Sequence, residues 1–372
     1  MNAIAERLGA FRAVADRPAE APALHKARTG KGAIGVFPVY APEEIVHASG
    51  FLPVGLWGGS VRISRAQAFL PSFACSIMQS VMELELKGTY DDLTAVLISS
   101  PCDTLKCMGQ KWKGKCPSIQ FVQPQNRELE SANLFLVEEY KLVRSKLEAI
   151  IGEAISDEAI SASIAVYNRN RQAMREFVGL AAIHPDLISP VDRHAVVKSR
   201  YFMDKALHTE WVEGLSALLR AQPVRPWSGK KVLLTGITAE PNALLDILAE
   251  NGFAVAADDL AHESRQFRHD VPEGNEPLYR LARWWQLLDG CSLATSRTKN
   301  RVSMLLDMVK AGGIDAVIVC MMKFCDPEEF DYPLIYQALQ ENRIKNTIIE
   351  IDQGSESFEQ IRTRLQGFAE NI

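Results

Sequence analysis

The sequence contains no apolar run long enough to cross a bilayer: its longest runs, such as Ala316 to Met322, fall well short of the roughly 20 residues a spanning helix needs. Basic clusters are missing too. The 41 Lys and Arg residues are scattered among 46 Asp and Glu residues, for a net charge of -5, so there is no electrostatic footprint for nucleic acid or an anionic membrane surface. The N-terminal stretch MNAIAERLGAFRAVADR is charged and amphipathic and lacks a signal-peptide core, which points to a cytoplasmic protein. There is no C-x-x-C, no H-E-x-x-H, no phosphate-binding G-x-x-x-x-G-K-[ST] and no G-x-G-x-x-G after a strand. The seven cysteines, at 75, 102, 107, 116, 291, 320 and 325, are an odd number without a secretion signal, which argues against a disulfide framework and for reduced thiols with metal or redox roles.

What is present is an ordinary globular composition, 47% apolar and 23% charged, in a chain of 372 residues, which is long enough for two domains. Near-continuous apolar runs at Ala33–Val39, Leu52–Trp57, Thr94–Ser99 and Ser118–Val122 read as buried strands, and helical spacing separates them, as in SIMQSVMELELKG after Cys75. From Ser131 to Gln222 the pattern is mainly helical. After the proline-containing segment PVRPWSGKK, a second strand and helix series opens at Lys231–Thr235 and continues through Phe253–Ala257, Ala316–Cys320 and Thr347–Ile351. The predicted fold class is therefore α/β, with two doubly wound parallel-sheet domains bridged by helices. The predicted boundaries are an N-terminal domain at 1–130, a helical connection at 131–222 and a C-terminal domain at 223–372.

One echo links the halves. Residues 95–103 read AVLISSPCD and residues 316–326 read AVIVCMMKFCD, so each half has a buried strand followed by a turn bearing Cys-Asp. Ligands of open α/β sheets bind beyond the carboxyl ends of strands, where helix N-termini converge. Facing domains would bring Cys102 and Cys325 together across a cleft, and Cys75, at a helix start, offers a third thiolate. Three convergent thiolates suit an iron–sulfur cluster. The gaps of 27 and 223 residues match no compact ferredoxin run, so a set of inert buried thiols stands as the alternative on spacing alone. Cys320, inside a strand, and Cys107, Cys116 and Cys291, away from strand ends, read as structural.

The stretches GVFPVYAPEEIVHASGFLPVGLWGG, FACSIMQSVMELELKGTYDDL, SPCDTLKCMGQ, GKKVLLTGI, ADDLAHESRQFRHDVPEG and VIVCMMKFCDPEEFDYPLI together resemble the β subunit of (R)-2-hydroxyacyl-CoA dehydratases. The type is that of 2-hydroxyisocaproyl-CoA dehydratase, within the wider group of the 2-hydroxyglutaryl-CoA dehydratase D-component and benzoyl-CoA reductase. The resemblance runs from about residue 30 to the C-terminus. It implies a heterodimer with a related α subunit, a [4Fe–4S] cluster in each subunit lying in the interdomain cleft, an acyl-CoA substrate, and a separate ATP-dependent iron–sulfur activator that injects one electron. The implied reaction removes water from a 2-hydroxyacyl-CoA to give a 2-enoyl-CoA through a ketyl radical anion, with this chain as electron relay and scaffold.

Carried over by position, the cluster cysteines fall on Cys75 in FACS, Cys102 in PCDT and Cys325 in KFCDP. Glu44 is similar to a position where the family places a carboxylate near an open iron; it reads equally as a first-turn acid favoured by the helix dipole. His47 reads more readily as a packing histidine than as a proton carrier. The dense polar run of His262, Glu263, Arg265, Arg268, His269 and Asp270 reads as a surface loop, either solvated or contacting CoA phosphates or a partner subunit. Rival readings are a benzoyl-CoA reductase-type or double-cubane reductase, and a two-domain binding protein with inert thiols.

Overall fold

The computed structural model describes residues 3–372 apart from 296 and 299. Eight strands form two four-stranded sheets. The first contains β1 (Ala33–Val36), β2 (Leu52–Gly55), β3 (Leu93–Ser99) and β4 (Ser118–Phe121), in the order β2-β1-β3-β4. The second contains β5 (Lys230–Gly236), β6 (Phe253–Leu260), β7 (Ala316–Met322) and β8 (Lys345–Ile351), in the order β6-β5-β7-β8. All pairings within both sheets are parallel. The expected α/β class with two parallel sheets is thus what the chain adopts.

Parallel strands covered on both faces must be apolar throughout, and β1, β2 and β7 are buried at every residue. Each sheet has the same permutation, so β3 and β7 occupy equivalent places next to the first strand of their sheet. The AVLISSPCD and AVIVCMMKFCD echo is this equivalence. In each half the strand order reverses beside that pair, which is where open α/β sheets hold ligands.

Four long helices lie between the sheets in sequence: Glu130–Ile151, Asp157–Ile183, Pro190–Ser199 and Lys205–Arg220. Their serine and aspartate caps are visible in the chain: Ser156, Ser189 and Asp204 each accept a backbone N–H three residues on. The first helix, Ala3–Ala15, places Ile4, Leu8 and Phe11 in an apolar cluster with Phe177, Val196, Val212 and Leu215 of this helical region. Among the described residues no helix is long and apolar enough to cross a membrane.

The two sheets meet through the helix Ser76–Leu86, which begins at Cys75. Ser76 donates to the Met322 sulfur at 2.9 Å and accepts the Gln353 backbone N–H at 3.2 Å. Gln353 in turn donates from its amide to the Trp57 carbonyl at 3.0 Å and accepts from Ser80 at 2.7 Å. Gly58, at φ +75°, lies against Ser80 and Gln353 where any side chain would clash. Every one of these groups is at the carboxyl end of its sheet, so the seam holds the two ligand-binding ends face to face.

The same helix is clamped from the other side by Glu83, whose buried carboxylate accepts the backbone N–H groups of Ser64, Arg65 and Ala66 at 3.0, 2.7 and 2.9 Å. Burial pushes its pKa up, but those three amides outweigh burial and hold it at about 2, below the ordinary 4.5. A depressed carboxylate contributes stability above its unfolded pKa and loses it as pH falls through the folded one. Stability should therefore decline between pH 4.5 and about 2 in part through Glu83. Glu83→Gln should cost roughly 2 kcal/mol at neutral pH and flatten that acid limb, as read by thermal unfolding at a series of pH values.

Candidate functional site

Three cysteines occupy the same local position. Cys75, Cys102 and Cys325 are the residues immediately before the helices Ser76–Leu86, Asp103–Lys111 and Asp326–Glu341. A residue there has non-helical backbone and a side chain beside unpaired amide N–H groups, a place commonly taken by Ser, Thr, Asp or Asn. Here it is taken by a soft donor three times. Cys102 follows β3 and Cys325 follows β7, the two equivalent strands, and Cys75 comes from the connection between β2 and β3.

The turn that presents Cys325 is tight. Phe324 has a left-handed φ of 62°, a conformation that costs a residue with a side chain on the order of 1 kcal/mol. The Cys325 N–H reaches back to the Met322 carbonyl at 3.0 Å, and the Cys325 carbonyl accepts from Glu328 and Glu329. Within the first half, Ser99 at the end of β3 donates to the Val39 carbonyl at 3.0 Å and so ties the loop after β1 to the turn that carries Cys102.

The three thiols are half-buried and lie within one another's electrostatic reach. The Cys75 thiol is pushed up to about 12 by burial and then by Cys102, against the opposing pull of the Met78 and Ile77 amides. Cys102 is raised by burial, with Asp103 and Asp326 adding to it against the Leu105 and Thr104 amides. Cys325 is raised by burial, the Glu328 carboxylate, Cys75 and Cys102. Thiols so placed stay protonated by themselves, and a cationic centre shared by all three is what would deprotonate them.

Three soft donors, each at a helix N-terminus, are a donor set of the kind that an iron–sulfur cluster would take.

The other cysteines stay apart. Cys320 is fully buried inside β7, opposite Gly236, and its pKa is raised by burial. Cys116 is buried and Cys107 is exposed. Cys291 is buried against the Tyr40 phenol, whose pKa rises through burial and this contact.

Glu44 is 2% exposed, and the Arg171 guanidinium donates to its carboxylate within the contact between the helices Glu43–Ala48 and Asp157–Ile183. Arg171 itself lies over the Trp284 ring at 4.6 Å. The carboxylates that raise the Cys102 and Cys325 thiols are Asp103, Asp326 and Glu328. His47 is bonded through Nδ1 to Ser163 at 2.9 Å and packs edge-on against Tyr167, which is a packing role.

The run from His262 to Asp270 corrects the surface reading. His262, Glu263 and Arg265 are each 1% exposed. Arg265 bonds Asp259 and Glu328, and Glu263 binds Arg193 and His194. Arg268, His269 and Asp270 approach the rim, where Arg175 pairs with Asp270 at 2.9 Å. A dense charge run resembles solvated surface in a sequence, but these charges are paired inside the fold, Arg265 with nearby Asp259 and distant Glu328 and Glu263 with distant Arg193.

The model of the family described as 2-hydroxyglutaryl-CoA dehydratase, D-component, matches residues 38–372. The chain belongs to this family. Family relatives include lactoyl-CoA dehydratase subunit beta of Anaerotignum propionicum, 54% identical over all of both chains. The (R)-phenyllactyl-CoA dehydratase beta subunit of Clostridium sporogenes is 41% identical over 97% of each, and the (R)-2-hydroxyglutaryl-CoA dehydratase subunit beta of Acidaminococcus fermentans is 38% identical over 100% of each. These three relatives are each named as beta subunits.

Glu44→Gln offers a separation of roles. Breaking a buried ion pair by neutralising one partner leaves Arg171 uncompensated and should cost about 3 kcal/mol. Thermal unfolding should show that loss while iron content per folded chain is unchanged.

Proposed function

We propose that this chain is the β subunit of an (R)-2-hydroxyacyl-CoA dehydratase, in which Cys75, Cys102 and Cys325 hold a [4Fe–4S] cluster. The observation that carries the reading is the convergence of three helix-capping cysteines at the facing carboxyl ends of two parallel sheets. Its companions are an α subunit, which the naming of the relatives as beta subunits supports, and the ATP-dependent activator that the family resemblance implies. The overall reaction is loss of water from a 2-hydroxyacyl-CoA to a 2-enoyl-CoA. Lactoyl-CoA is the first substrate to assay, given the 54% identity to the lactoyl-CoA dehydratase subunit.

The bound cluster would supply single-electron chemistry that no side chain provides. The chain's own residues set the stage for it. The three helix N-termini present partial positive charge to the thiolates. The Ser76–Met322 and Ser80–Gln353 contacts fix the Cys75 helix against the second sheet. Arg265, Arg301 and Ser292 bind the Glu328 carboxylate, so it does not compete for the open side of the thiol set.

Cys75→Ser, Cys102→Ser and Cys325→Ser should each fall from about four irons per chain to near none, whereas Cys116→Ser and Cys291→Ser should keep them. Iron analysis and visible absorbance under anoxic conditions check this. Full iron in Cys325→Ser would move the third ligand elsewhere. Lactoyl-CoA turnover should need the α partner and the activator together; turnover by the isolated chain with a chemical reductant would overturn the subunit reading.

A further inference from the structure

A second constellation of metal-ligating side chains lies where the loops after β5 and β6 meet the helix Pro190–Ser199. We infer that His194, Glu240 and His262 form a binding site for one divalent cation of the zinc class, separate from the thiol site. Their ligand atoms all lie within 4.8 Å of one another, and the three residues are 1%, 4% and 1% exposed. They come from three elements: the helix Pro190–Ser199, the loop after β5 and the loop after β6.

The surroundings orient the donors. His194 is bonded through Nδ1 to Glu263 at 2.7 Å, leaving Nε2 turned to Glu240 at 3.4 Å. Glu263 is itself held by Arg193, which also binds Asp258. A carboxylate behind a ligating imidazole fixes its ring and raises its basicity, and this arrangement recurs at zinc sites. The His262 ring is stacked on Tyr201 at 5.0 Å with a 12° tilt, lies 4.5 Å from Trp57, and meets the Thr238 hydroxyl at 3.3 Å through Nδ1. Neither ring is free to turn away.

Two imidazoles and one carboxylate with a fourth position open is a donor set of catalytic zinc. Metal–ligand bonds of about 2.1 Å in a tetrahedron put two donors about 3.4 Å apart, so closing donors that lie within 4.8 Å of one another needs side-chain shifts of about an ångström or slightly more. The open side faces a cavity of about 700 Å³ that Glu240, His262 and Lys198 line, which provides an entry path and room for water or an oxygen ligand. A cation has to replace positive charge already present. Glu240, Glu263 and Asp258 face Arg193, Lys198 and His194, whose ring is hydrogen-bonded to both Glu263 and Glu240, so a metal would take the place of the His194 proton as well as of the Lys198 ammonium. Lys198, the most exposed member at 21%, donates to Glu240 and is the group a cation would displace into the cavity; the dication with Arg193 then balances the three carboxylates.

The test uses the whole chain with its iron, under anoxic conditions, by equilibrium dialysis against chelator-buffered Zn²⁺ with zinc and iron counted together. One tight zinc per chain is expected with no loss of iron. Glu240→Gln and His262→Gln should weaken zinc binding at least tenfold at unchanged iron. Lys198→Met, which removes the competing ammonium at a partly exposed position, should strengthen it severalfold. Should the buried variants fail to fold, Lys198→Met decides alone: zinc binding that is unchanged or weaker overturns the site. So does zinc uptake that survives Glu240→Gln and His262→Gln in folded protein, which would assign the metal to exposed thiols, and so does absence of zinc from the wild-type chain.

Discussion

Two guanidinium groups and two carboxylates, none more than 4% exposed, hold the carboxyl end of the second sheet in shape. Arg301 donates to Asp259 at 2.9 Å, to Glu328 at 2.7 Å, to Thr235 at 3.0 Å and to Asp331 at 3.3 Å. Arg265 meets Asp259 at 3.0 Å and Glu328 at 3.2 Å. Thr235 belongs to β5, Asp259 to β6 and Glu328 to the first turn of the Cys325 helix, so one network fixes two strands and the helix start that presents a thiol. Burying four charges costs several kcal/mol per ion unless every lone pair and N–H is satisfied. Here the satisfaction is geometric, and a partner removed from any corner would leave the rest uncompensated. Burial raises the Asp259 pKa, and Arg265, Arg301 and Arg268 more than reverse that, so it stays ionised.

The thiol site depends on that rigidity because its three members share no sequence neighbourhood. Each cysteine relies on a helix start, and each helix start relies on a different tether: Ser76 on Met322 and Gln353, the Cys102 turn on Ser99 and its neighbouring strand, and the Cys325 helix on Arg265 and Arg301. Capping geometry is local and cheap to encode, needing only an extended residue before a helix. Convergence is not local. It is supplied by two sheets of one topology meeting at their ligand-binding ends.

This division explains what could be read in advance. The strands were legible because both-sided burial leaves an unbroken apolar run, as in Ala316–Met322, and the capping cysteines were legible because a turn residue, Pro101 or Phe324, separates strand from helix around them. Buried charge was not legible. Glu44 and Arg171 are 127 residues apart, Arg193 and Glu263 are 70 apart, and Arg265 and Glu328 are 63 apart. A Glu in a first helical turn or an Arg in a charged run looks the same whether water or a distant partner satisfies it. Nothing at 262–270 distinguishes buried residues from solvated ones except contacts that exist only after folding.

The internal repeat sharpens the point, because it is kept where the backbone matters and broken where chemistry does. The β3 and β7 turns both end in Cys-Asp, and both cysteines begin helices. The connection from β2 to β3 carries Cys75, and the corresponding connection from β6 to β7 carries Arg265 and Arg301 at the same end of its sheet. A faithful repeat would have offered a fourth thiol there. The second half instead uses that connection for cations that bind Glu328, so two of the three capping cysteines come from one half and one from the other. The asymmetry between the halves is thus encoded in the same residues that make the second half stable.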